Sequence, residues 1–336
     1  MKALYVAVDG GAQEAVRPLA ASAGAVLAGT SVEAARIDAF WSERLRAAGS
    51  DLLIVGTSDS AGGRAVESAA RRAARAIGIP IAAIEDFSGN YFDVDGGEAD
   101  VVFVESAAAR IVLAERYCRQ GALHIEVASP ARYDAYRARL AELREGTQRA
   151  WARARAPAVL WAGQPETADS LATLEALMPV ALEHGAEVLF KAHPRDPGYA
   201  SGAYRKLLDP AGNRVRDVTD LTTPDALAAA PRLVATQFSS VAIEAGFYGI
   251  PALWILLPDA GGARLKQKKG YATPPLCMAG AAARAESQTA LGHVFGQILR
   301  DDVYRETLIR CFDAYFQVDR STVSELTARL SEIASE

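Results

Sequence analysis

The segment Lys191-Ala192-His193-Pro194-Arg195-Asp196 directly follows the apolar run EVLFK at residues 187–191. A histidine at the end of such a run can move a proton or donate to an anion, and two cations flank it. Pro194 holds His193 extended and forces a turn. Lys191, His193, Pro194 and Arg195 thus form a candidate anion site, with phosphate as the obvious occupant. The same residues also read as a histidine that only caps its turn. Further on, Gln237-Phe238-Ser239-Ser240 separates residues 232–235 from a helical stretch at 241–248. Ser239 and Ser240 bring hydroxyls, exposed N–H groups and the positive helix end together, which suits an anion. Plain N-capping would need one serine and no ligand. Glu244 follows Ser240 by one helical turn and could accept from a ribose diol, or be a solvated glutamate. Gly163-Gln164 ends the run AVLWA at 158–162 and would line the same side.

Acid–base candidates lie in the first half. Glu85-Asp86 follows residues 80–84 in IEDFSGNY. A carboxylate placed beside a hydroxyl can deprotonate it, whereas a turn that merely ends the strand needs no chemistry. Asp9-Gly10-Gly11 and Ser60-Ala61-Gly62-Gly63 sit between a strand and a helix. They are tight turns first; Gly10, Gly11 and Ser60 are acceptor contacts second. Asp95-Gly96-Gly97 is another acidic-glycine stretch. No GxSxG, HExxH, DxD-like, Walker or complete GxGxxG pattern occurs. The chemistry expected is metal-independent, with no cofactor beyond an activated co-substrate.

These residues need strands whose carboxyl ends present them. Short β-branched runs alternate with Ala-rich amphipathic stretches: 3–8, 25–28, 51–56, 80–84, 101–104 and 124–127 as strands, with helices near 13–21, 32–48, 64–77 and 107–119. The grammar restarts with strands at 158–162, 187–191, 232–235 and 252–257, and residues past Ser287 read as three helical segments. Alternation at this spacing predicts an α/β fold with two Rossmann-like parallel sheets. The boundaries predicted are residues 1–132 for a first Rossmann-like domain, 133–156 for a charged helical linker, 157–318 for a second and 319–336 for a helix crossing back. Tandem domains of this kind bind ligands in the cleft they share, at the carboxyl ends of the strands. Val323, Leu326, Leu330 and Ile333 form an apolar stripe that must bury itself against something, the first domain or the linker being the expected partner.

With 336 residues, half of them hydrophobic, the chain has ample core for two domains. A net charge of −5 gives no electrostatic case for nucleic acid. Three separated cysteines, Cys118, Cys277 and Cys311, fit neither disulfides nor zinc and point to a reduced, cytoplasmic setting. No signal peptide or membrane span is expected. The basic run Arg264, Lys266, Lys268, Lys269 reads as a solvated loop, though it leaves room for contact with a membrane surface.

The run FKAHPRD, followed downstream by SSVAIEAGFYGIP, resembles the second domain of GT-B glycosyltransferases. More narrowly, it is similar to bacterial sialyltransferases and capsule-type enzymes that carry HP and SS motifs. The likeness covers about residues 158–258, and the first half matches only in grammar. The resemblance implies a GT-B fold and inverting transfer of a nonulosonic or ulosonic acid from a CMP-linked donor to a glycan, lipid-linked or protein acceptor. It implies that His193, Ser239 and Ser240 hold the donor phosphate and Glu244 the ribose. Asp86 or Glu85 would be the base, although the family's acids adjoin a glycine and here the glycine is Gly89. Kept beside it are a nucleotide-sugar 2-epimerase of the same shape, a CDP-alcohol phosphotransferase and a non-catalytic nucleotide-sugar-binding protein. The oligomeric state is not legible.

Overall fold

A computed structural model describes residues 1–22, 36–117 and 123–335. The strand expected at 25–28, the start of the helix at 32–48 and Cys118 lie outside the described residues. The chain divides into two compact units, residues 1–137 with 319–336, and residues 138–318.

The first unit begins with β1 (Ala3–Val6), α1 (Gly10–Ser22) and α2 (Asp38–Ala48), and continues through β2 (Leu52–Val55), α3 (Ala61–Ala76), β3 (Ile81–Ile84), β4 (Val101–Val104), α4 (Ala107–Tyr117), β5 (Ile125–Val127) and α5 (Asp134–Arg137). Its sheet runs β1-β2-β3-β4-β5, all neighbours parallel. Strands β2, β3 and β4 are buried at every position, as expected of a parallel sheet covered on both faces. Period two sorts their side chains. Leu53 and Val55 join the core beneath α2 and α3, while Leu52 and Ile54 join the opposite core with Val16 and Leu19 of α1. Arg71 of α3 is fully buried; its guanidinium donates to the Gly97 and Phe92 carbonyls and the Tyr91 hydroxyl, pinning the long loop after β3.

The second unit starts with α6 (Leu140–Arg153) and β6 (Ala158–Ala162). It continues through α7 (Thr167–Glu183), β7 (Glu187–Lys191), α8 (Pro197–Ser201), α9 (Arg205–Leu208), β8 (Val215–Asp217), α10 (Thr223–Ala228) and β9 (Leu233–Thr236). Then come α11 (Val241–Phe247), β10 (Ala252–Ile255), α12 (Gly261–Lys269), α13 (Pro275–Met278), β11 (Ala283–Ala285), α14 (Gln288–Arg300) and α15 (Asp302–Phe316). The parallel sheet order is β11-β10-β9-β6-β7-β8. The sequence reading missed β8 and β11, which are three-residue edge strands without an apolar run. Residues 133–156, read as a linker, divide between the units, and α6 packs within the second: Arg144 pairs with Asp313, and Trp151 donates to the Ala230 carbonyl.

The chain returns to the first unit as α16 (Val323–Ile333). Leu326, Leu330 and Ile333 bury against α1 and the sheet core. Asp134 receives the Thr322 and Val323 amides and the Ser321 hydroxyl, and Glu126 chelates Arg329. On α15 the apolar face is Leu308, Phe312 and Phe316, whereas Val303 is 70% exposed. Among the described residues no helix is long and apolar enough to cross a membrane.

Candidate functional site

In the second unit β6 leads outward to β7 and β8, while β9 returns to its other side and leads to β10 and β11. The order reverses between β6 and β9, and at such a switch point the loops leave in opposite directions and open a crevice at the strands' carboxyl ends. Gly163-Gln164 follows β6, His193 follows the neighbouring β7, and Ser239-Ser240 follows β9. A Cβ on Gly163 would lie 2.8 Å from the Trp161 ring, so only glycine lets the chain pass there. Ser170 of α7 clamps this loop, accepting from the Gln164 amide (3.0 Å) and donating to its carbonyl (3.1 Å).

His193 Nδ1 accepts the Arg195 amide at 3.0 Å, and the Asp196 amide donates to the His193 carbonyl at 2.9 Å. The histidine therefore does close its turn. Burial first, then the Arg195 charge, holds its pKa below the ordinary histidine value, so the ring is neutral at pH 7. With Nδ1 occupied as acceptor, the proton sits on Nε2, leaving a fixed neutral donor. Glu166 and Lys268, an ion pair 2.5 Å apart, also act on His193 and join α7 to α12. Asp196 is no free charge; it caps α8 and binds the Thr167 and Tyr204 hydroxyls.

Lys191 departs from the expected anion site. Its ammonium donates to the Thr219 carbonyl (3.2 Å) and the Leu221 carbonyl, securing the loop after β8. Burial lowers its pKa, and among the charges opposing that shift are Asp220 and Glu244. Glu244 is thus in the electrical neighbourhood of Lys191. Arg195 and Pro194 are exposed at the turn. Ser239 Oγ accepts the Val241 amide at 3.3 Å, while Ser240, the residue before the helix, makes no side-chain cap. N-capping therefore accounts for Ser239 alone.

In the first unit the carboxyl ends of β1 to β4 gather carboxyl groups. Asp86 Oδ1 accepts from Thr57 Oγ1 and Asn90 Nδ2, each at 2.7 Å. Its Oδ2 lies over Gly11, where a Cβ would come within 2.5 Å. Glu85 points into its own loop: Oε1 accepts the Gly89 (2.9 Å) and Tyr91 (3.0 Å) amides, and Oε2 is buried without a partner. Burial chiefly, with the charges of Glu105 and Asp86, pushes its pKa up to about 8, so Glu85 is protonated at neutral pH. Asp9 accepts the Asp59 and Ser60 amides and the Ser60 hydroxyl, and Ser60 Oγ caps α3 through the Gly63 amide. Ser60 therefore spends both hydroxyl functions inside the fold. Gly10 and Gly11 form the first turn of α1 rather than a loop before it.

Three acidic or basic partners here escaped the sequence reading. Glu105 directly follows β4 and accepts from Ser88 Oγ. The same after-the-strand rule that singled out Asp86 would have found it. Glu67, fully buried in α3, accepts the Ser58 hydroxyl (2.6 Å) and amide (2.9 Å), and burial raises its pKa to about 7. Arg132, after β5, donates to the Asp86 carbonyl at 2.7 Å. Nothing local in the sequence marks either. Among the described residues no three His, Cys, Asp or Glu side chains are grouped to hold a metal ion.

No family model and no curated protein matches the chain. Solved structures do. One is a UDP-GlcNAc 2-epimerase from Neisseria meningitidis bound to UDP-GlcNAc, at TM-score 0.64 and 12% identity over 99% of this chain and 100% of that one. Another is the UDP-GlcNAc 2-epimerase of Methanocaldococcus jannaschii, at TM-score 0.63, 12% identity, 99% and 100%. A glycosyltransferase from Rickettsia africae follows at TM-score 0.63, 10% identity and 98% of each chain. The fold is GT-B-like, two parallel-sheet α/β domains. The narrower expectation, sialyl transfer from a CMP-linked donor, is corrected: the similar structures are UDP-sugar 2-epimerases and other glycosyltransferases, not CMP-dependent sialyltransferases. The HP and SS pairs that suggested it are two-residue signals, and His193 and Ser239 each also close a local turn.

Proposed function

We propose that the protein is a nucleotide-sugar 2-epimerase acting on a UDP-linked N-acetylhexosamine. The observation that carries the reading is the Asp86 carboxyl group at the strand ends of the first unit, one oxygen held by Thr57 and Asn90 and the other beside Gly11. Inverting C2 of such a sugar requires its proton to pass to a base while the C1–O bond breaks and UDP leaves with the electron pair, and then a proton to add to the other face of the C1=C2 bond as UDP returns to C1. Asp86, with one oxygen held by two donors, is the base. Glu85, protonated and sealed in its own loop, limits the negative charge beside Asp86 and does not touch the sugar. The second unit recognises the nucleotide: the His193 Nε2–H, Ser240 and the exposed Arg195 suit a diphosphate, Glu244 a ribose diol. A neutral, fixed donor aimed at phosphate oxygens stabilises the charge that grows there during reaction. Full-length likeness to UDP-GlcNAc 2-epimerases supports the choice of UDP as the nucleotide and of epimerisation as the reaction.

The test is incubation with UDP-GlcNAc in deuterated water, followed by proton NMR. The expected outcome is deuterium at C2 and appearance of the 2-epimer, with Asp86→Asn at least a hundredfold slower while UDP still raises its melting temperature. Absence of exchange in wild type, together with a thermal-shift screen in which CMP stabilises and UDP does not, would refute the reading.

A further inference from the structure

A cavity of about 630 Å³ opens on the second unit between α6 and α15. Its wall includes Arg232 and the four-residue-spaced pair Glu306 and Arg310. Arg232 immediately precedes β9, so the cavity lies at the amino end of that strand, whereas Ser239 and Ser240 lie past its carboxyl end. It is not the nucleotide crevice.

The guanidiniums here are unevenly employed. Arg144 is committed to the Asp313 carboxylate and the Gly246 carbonyl. Arg305 donates to the Ile298 carbonyl at 2.7 Å and pairs with Asp302, whose side chain is 79% exposed. Arg310 donates only to Thr307 Oγ1, at 3.2 Å. Arg232 stacks on Trp151, 4.7 Å from the ring centroid, and has no hydrogen bond or ion pair from its side chain among the described residues. Trp151 is itself fixed by its bond to the Ala230 carbonyl. The fold thus spends a rigid aromatic platform on holding a partly buried guanidinium that has no anion. Burial lowers the pKa of Arg232 and of Arg305, and the charge of Arg232 lowers that of Arg305 further, against the opposing charges of Asp301 and Glu306. Such a charge is costly unless paired, and an oxyanion between them would relieve both the desolvation and the repulsion.

The geometry points to a second ligand site here, taking a small organic phosphate or diphosphate. Guanidiniums match phosphate oxygens two at a time, which suits Arg232 and Arg305 facing one cavity. The volume falls in the range of small-molecule pockets and exceeds what inorganic phosphate alone would fill, with Ile309 offering an apolar wall for the organic part.

Pyrophosphate is the probe, titrated calorimetrically into the full chain. Expected, with excess UDP present to fill the nucleotide crevice, is saturable binding that Arg232→Gln and Arg310→Glu each weaken at least tenfold. Arg310 is exposed, so its variant keeps the fold, and it decides the matter should Arg232→Gln fail to fold. No binding to wild type, or binding unchanged in Arg310→Glu, would overturn the proposal.

Discussion

Replacing Glu85 by Gln should flatten the pH dependence of stability, and the size of the effect follows from where that carboxyl sits. Glu85 is 4% exposed, its Oε1 accepts two backbone amides of its own loop, and burial raises its pKa from 4.5 to about 8. The folded chain therefore binds a proton that the unfolded chain releases above pH 4.5. A raised folded pKa gives stability that is complete below the unfolded value and is lost as pH rises through the folded one. The loss approaches about 1.4 kcal/mol per pH unit across that window. Gln keeps the shape and the Oε1 acceptor and has no proton to lose. Near pH 5 the two proteins should differ by under about 1 kcal/mol. By pH 8 Glu85→Gln should be the more stable, the gap having widened by roughly 3 kcal/mol. Urea denaturation at pH 5, 6, 7 and 8 measures this directly. Glu67 also has a raised pKa but is common to both chains, so it cancels in the difference. Parallel stability profiles for the two proteins would show that Glu85 is not held neutral by its burial.

Two neighbouring glycines provide a matched pair. A Cβ on Gly11 would lie 2.5 Å from Asp86 Oδ2, whereas one on Gly10 meets nothing within 4 Å; Gly11→Ala should cut epimerase turnover at least tenfold by displacing that carboxylate, and Gly10→Ala should keep turnover and gain up to about 1 kcal/mol of helix stability. Equal turnover in the two variants would contradict the placement of Asp86. In the returning tail, Leu330 is fully buried against the first unit's core, so Leu330→Ala should cost about 2–5 kcal/mol, read as a lower denaturation midpoint. A change below about 0.5 kcal/mol, the usual range for surface positions, would show that α16 is a loose cover rather than part of that core.

The alternation of apolar runs and Ala-rich stretches was enough, read along the chain, to determine the two parallel sheets, because strands buried on both faces must be continuous in Val, Ile and Leu: Leu52–Val55 and Val101–Val104 leave no other use for such residues. The stripe Leu326, Leu330, Ile333 likewise required a partner, since three leucine-class residues on one helix face cannot stay in water. Local pattern also placed His193 and Ser239-Ser240 after their strands. Tertiary structure decided everything that depends on which groups meet. Edge strands Val215–Asp217 and Ala283–Ala285 carry no pattern, since solvent covers part of them and neighbours in space supply the pairing. Lys191 and Ser60 looked available in the sequence and are consumed by the Thr219 and Leu221 carbonyls and by Asp9. Glu85 and Asp86 are chemically alike and adjacent, yet one is sealed in its loop with a raised pKa while the other reaches Thr57, Asn90 and Gly11. That difference comes from pleat direction and desolvation, both properties of the folded surroundings that no residue type carries with it.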